Sequence, residues 1–200
     1  MTRSDGARIL VAVSLSLSPL LAAAPAAADD TIKHPGDHPH YAVELEPHAL
    51  LGFGGYYGGT GGIGVGGRFS IPVVDNGFVS TINNSVAISF GLDVVFYNYC
   101  YNGWDNNYGG CNATFFEFPV VMQWNFFVAQ RWSVFGEPGL AIYHGSWGCG
   151  NANCPNNWNT NVTSLEPALY LGGRYHLNDS MSLTMRLGFP AFSFGISFFL

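Results

Sequence analysis

Two short runs hold residue types that could do chemistry. His144-Gly145-Ser146 places an imidazole two residues from a hydroxyl. On an extended strand both side chains share one face, as a base and its nucleophile must. The acidic third member is missing, because no Glu follows in the next loop and Glu166 has the opposite parity. The run Lys33-His34-Pro35-Gly36-Asp37-His38-Pro39-His40 gathers His34, Asp37, His38 and His40, which could capture a metal. A disordered lead-in is the plainer expectation for so Pro-rich an arm. The glycine-rich stretch 52–67 has no Lys or Ser/Thr at phosphate-loop spacing, so a hairpin or close strand approach is expected instead. No cofactor is implied.

Four cysteines fall as two local pairs, Cys100 with Cys111 and Cys149 with Cys154, and none has CxxC metal spacing. In an exported chain this predicts two intraloop disulfides. Around them lie Tyr101, Trp104, Tyr108, Trp147 and Trp158 among many Asn and Gly. Rings on braced polar loops suit recognition of a carbohydrate or another surface, and equally suit an interfacial aromatic girdle.

Composition bounds what could position these residues. Charged residues make up 10% of the chain and hydrophobic ones 48%, against about 25% charged in ordinary soluble domains. Yet no stretch approaches the roughly 18 to 20 apolar residues of a membrane-spanning helix. Arg3 and Arg8, the apolar run 9–21 and Ala26-Ala27-Ala28 read as a signal peptide over residues 1–28. Its removal leaves five Lys/Arg against twelve Asp/Glu, a charge near −7, which argues against nucleic acid as a partner. Residues 29–40 form the His/Pro-rich lead-in, and residues 41–200 the folded domain.

Within 41–200 period-2 alternation marks eight strands with one rule, apolar on one face and polar on the other. The last runs Ala191 to Leu200, with Phe192, Phe194, Ile196, Phe198 and Leu200 opposite Ser193, Gly195 and Ser197. The polar faces collect Glu44, Glu46, His48, Arg68, Asp93, Glu117, Glu137, Glu166, Arg174, His176 and Arg186. Glu44 with Glu46, and Glu166 with Arg174, agree in parity without that having been imposed. Apolar-out and polar-in is the pattern of an all-β, eight-stranded antiparallel up-and-down transmembrane β-barrel. A narrow barrel interior must be filled, and Arg–Glu pairs fill it without opening a channel. A Glu near a Pro recurs as Glu46-Pro47, Glu117 with Pro119, Glu137-Pro138 and Glu166-Pro167 and predicts strand bulges.

With these residues in hand the chain resembles the small eight-stranded outer-membrane barrels of Gram-negative bacteria, the group that includes the OmpA-like transmembrane domain and OmpX-like proteins. The likeness covers nearly all of 41–200 and rests on architecture, most specifically on the C-terminal strand. It implies an outer-membrane location, surrounding lipid, a monomer, and recognition of that strand by the barrel-assembly machinery. It also implies that the lead-in is periplasmic and that both cysteine pairs lie in outward loops. Three functions remain open: a structural or surface-interaction role, expected first; a lipid A deacylase-like enzyme, since those barrels use a His-x-Ser pair, here His144 and Ser146; and a narrow pore. A surface ligand is possible but unnamed, and the expected answer on catalysis is that the protein is not an enzyme.

Overall fold

The computed structural model describes residues 31–53, 61–99, 111–149 and 160–200. The signal-peptide reading of 1–28 therefore lies outside the described residues, as do Cys100, Tyr101, Trp104, Tyr108, Cys154 and Trp158. Eight strands follow one another: β1 (Glu44–Gly52), β2 (Gly62–Val74), β3 (Asn84–Tyr99), β4 (Cys111–Ala129), β5 (Trp132–Cys149), β6 (Thr160–Asn178), β7 (Met181–Gly188) and β8 (Ala191–Phe199). Each pairs antiparallel with the next, and β8 returns to β1, so the sheet is a closed up-and-down barrel. The seam sets Leu45 opposite Phe198 and Gly52 opposite Ala191. Closure leaves no strand edge, which an apolar exterior demands.

The alternation read from sequence becomes inside and outside. Glu44, Glu46, His48 and Leu50 are buried, while Leu45, Pro47, Ala49 and Leu51, which alternate with them, are exposed. Ile63 is 70% exposed, Val65 64% and Leu169 63%. A belt this continuous is a surface that hydrocarbon solvates and water does not. Among the described residues no helix is long and apolar enough to cross a membrane. Val86 is outward by parity yet buried; it stands opposite Trp124, whose indole meets Phe78 of the long link 75–83 at 5.5 Å.

Three expectations change. β5 runs to Cys149 and β6 begins at Thr160, so Trp147 belongs to a strand instead of a loop. The same register sets Cys111 opposite Cys149, so both lie on strands instead of in loops. The prolines do not mark bulges: the register runs unshifted past Pro47, Pro119, Pro138 and Pro167, and shifts instead at Pro72/Val74, Phe127/Ala129 and His176/Asn178. The ladder instead skips Pro47 on the β8 side, Pro119 on the β3 side and Pro138 on the β4 side, and Pro167 lies beyond the reach of β7. A missing N–H costs no rung where none is made.

Glycines on the inner face make room for large neighbours. A Cβ at Gly172 would overlap Phe135, and one at Gly91 would overlap the Arg68 guanidinium. A Cβ at Gly173, one residue on and facing out, would meet nothing nearer than Ser133 O at 3.7 Å. Gly172→Ala should therefore cost about 1–3 kcal/mol by overpacking, while Gly173→Ala is neutral or stabilising. Urea unfolding of the refolded barrel followed by tryptophan fluorescence measures both, and equal effects would contradict this account of the glycines.

Candidate functional site

The lumen is filled by side chains from all round the wall. Arg186 of β7 is buried and uses all its N–H groups. Its Nε donates to Glu137 Oε2 at 2.7 Å, Nη1 to Glu46 Oε1 at 2.6 Å, and Nη2 to Glu46 Oε2 at 3.0 Å. Gln123 Nε2 donates to Glu137 Oε1 at 2.8 Å. One guanidinium thus joins β7, β1 and β5 across the barrel. Toward the inner end Arg174 Nη2 donates to both Glu44 oxygens at 2.7 and 2.9 Å, and its Nη1 to Asn125 Oδ1 at 2.6 Å. Phe135 lies between the two arginines, 4.4 Å from the Arg174 guanidinium carbon and 5.2 Å from that of Arg186. On the outer side Asp93 Oδ1 accepts from Arg68 Nη1 at 2.8 Å and lies 2.9 Å from His48 Nε2, while Glu117 accepts from the Tyr170 hydroxyl. Among the described residues each buried charged side chain has a partner, as a low-dielectric interior favours, although Nε of Arg68 and of Arg174 has none.

Two residues expected in this network stand apart from it. His176 is buried, but its Nε2 pairs with Ser133 Oγ at 2.9 Å and its ring stacks on Phe199 at 5.7 Å. Glu166 has the expected parity but is exposed, because β6 climbs past the ends of β7 and β8 and carries it above the packed interior.

The inner end is closed by the segment expected to be a disordered lead-in. A single 3-10 turn, Thr31–Lys33, docks below β4 with Thr31 buried. Asn83 donates its backbone N–H to Ile32 O at 2.7 Å and its Nδ2 to Asp37 O at 2.6 Å, and its own carbonyl accepts from Phe127. The His38 ring stacks on Phe127 at 4.6 Å, and its Nε2 lies 2.9 Å from Asp75 O. Among the described residues no group of three or more His, Cys, Asp or Glu is placed to hold a metal; of the candidate set only His38 and His40 bring their rings together, at 5.0 Å.

At the other end the barrel opens into a cavity of about 320 Å³. Phe53, Tyr97, Phe115, Tyr143 and Phe189 supply its rings, and Ser164 and Glu166 its polar side. Ser164 Oγ donates to Glu166 Oε1 at 2.8 Å; the Tyr143 hydroxyl donates to Phe189 O at 3.3 Å and that of Tyr97 to Pro190 O at 3.4 Å. Trp147 packs edge-on against Phe115 at 5.2 Å, beside the cavity. Beneath the cavity lies a void of about 10 Å³, bordered by Arg68, Asp93, Glu117 and Tyr170.

His144 and Ser146 lie on the outer face of β5, but His144 Nδ1 is 2.7 Å from Thr163 Oγ1 and not from a carboxylate. Glu166 sits on the opposite face of the sheet and bonds Ser164. Among the described residues no carboxylate orients the imidazole of the pair.

A closed eight-stranded barrel with an apolar exterior, a salt-bridged interior and one open aromatic mouth is the class these features define. The sequence matches no protein-family model and no curated protein. Among solved structures it is similar to Ail, the attachment invasion locus protein of Yersinia pestis, crystallised with the heparin analogue sucrose octasulfate (9% identity, 80% of this chain and 98% of that one, TM-score 0.49). It is similar also to Neisserial surface protein A (11%, 79% and 96%, 0.47) and to the outer membrane protein OprG of Pseudomonas aeruginosa (10%, 82% and 98%, 0.48). The likeness is one of architecture.

Phe135, Tyr143 and Tyr170, with Gln123 and Asn125, complete the interior although they carry no formal charge. The alternation read from sequence already sets Gln123, Asn125, Tyr143 and Tyr170 on the inward face, and Phe135 joins them by the same parity on β5. Asn83→Ala should free the inner arm, raising the rate of tryptic cleavage after Lys33 by about tenfold, the scale of one lost buried hydrogen bond. An unchanged cleavage rate would show that the Asn83 side chain does not hold the arm.

Proposed function

We propose that this chain is a bacterial outer-membrane barrel with a sealed lumen, whose role is structural or surface-interacting and whose working surface is the outer mouth. The observation that carries this reading is the pairing of an apolar exterior with an interior closed by Arg186, Glu46 and Glu137. A sealed interior favours anchoring and display over conduction, and the His144–Ser146 pair, held by Thr163 and not by a carboxylate among the described residues, gives catalysis no support. Residues 1–28 act as the cleaved export signal, membrane lipid surrounds the monomer, and β8 is the element that the barrel-assembly machinery recognises. Cysteines 100, 111, 149 and 154 brace the outward loops as disulfides, and Tyr101, Trp104, Tyr108 and Trp158 present rings there for recognition. Added to planar lipid bilayers, the mature protein is expected to give no discrete conductance steps. Steady openings that scale with protein concentration would replace this reading with that of a pore.

A further inference from the structure

We propose that the outer cavity is a binding site for a small organic cation, an ammonium carried on a compact apolar body. This rests on the reading of the outer mouth as the working surface and names what that surface takes. The cavity, at about 320 Å³, is near the lower end of small-molecule sites. Its walls are rings, and among its described lining residues there is one carboxylate, Glu166, and no Lys or Arg. Ring faces and a carboxylate both attract positive charge. A neutral apolar guest would strip water from Glu166 without replacing it, and an anion would meet repulsion from Glu166 at the side. Arg68, the nearest arginine beneath, is already committed to Asp93 at 2.8 Å. The two tyrosine hydroxyls are donated to carbonyls of the β7–β8 turn, so Tyr97 and Tyr143 are fixed in place by the same turn that bears Phe189. The packed interior below makes the cavity a cup: what enters is held and not passed on.

The test is a ligand-observed NMR titration of the mature barrel in a non-ionic maltoside detergent, since detergents bearing an ammonium would compete. Choline and its neutral isostere 3,3-dimethylbutanol are the probes. Choline should bind in the range of about 1 mM, with the isostere about tenfold weaker, the scale expected of ring and carboxylate contacts to a cation. Glu166→Gln should weaken choline about tenfold and leave 3,3-dimethylbutanol unchanged; because Glu166 is exposed, its replacement does not threaten folding. Tyr143→Leu should weaken choline as well, whereas Leu165→Ala, on the outer wall, should change neither probe. No binding to the wild type, equal affinity for the two probes, or choline affinity unaltered in Glu166→Gln would each overturn the proposal. A barrel that binds neither probe but does not conduct would remove this site and keep the sealed-barrel reading.

Discussion

The barrel depends on one guanidinium that reaches across it. Arg186 leaves β7 and closes on Glu46 of β1 and Glu137 of β5. An isolated charge in such an interior would be prohibitively costly, and a pair recovers the cost only when nearly every donor finds an acceptor. That requirement fixes more than the arginine. Glu46 and Glu137 must face inward, so Leu45, Pro47, Pro138 and the apolar residues in phase with them must face out. A slip of one residue in any of these strands would put a carboxylate into the apolar belt. The ion pairs therefore specify register, whatever their net contribution to stability.

Space is the second constraint, and glycine answers it. The interior holds three arginines, two of which take the Phe135 ring between them, and such bulk fits only where opposite positions are bare. Gly91 and Gly172 are those positions. The same logic shapes the two ends differently. At the inner end the chain folds its own arm and Phe199 into the opening, while at the outer end β4, β5 and β6 outrun the other strands and leave a cup. Among the described residues one end of the barrel is filled by its own chain and the other holds the cavity.

Much of this was legible in the sequence because a strand in a barrel has only two faces. Parity placed Glu44, Glu46, Asp93, Glu117, Arg174 and Arg186 on one inward-facing surface and marked the apolar face of the last strand. It could not see what lies beyond period 2. Glu166 obeys the parity but sits above the fill, because how far β6 outreaches its neighbours depends on relative strand lengths. The arm at 31–40 looked disordered from its prolines, yet Asn83 and Phe127 supply the bonds and the ring that hold it. The prolines beside glutamates looked like bulges, whereas skipped rungs absorb them without any change of register.

The central claim is that cross-lumen ion pairing holds the barrel in this register, and a double-mutant cycle on Arg186→Met and Glu137→Gln measures it most directly. Unfolding free energies of the two single variants and the double variant, refolded in the same lipid, give the coupling. The account predicts a coupling of about 2–4 kcal/mol, with each single variant costing more than the double variant's remaining increment. Additive losses, with coupling indistinguishable from zero, would mean that the pair is incidental and that the apolar exterior alone sets the fold.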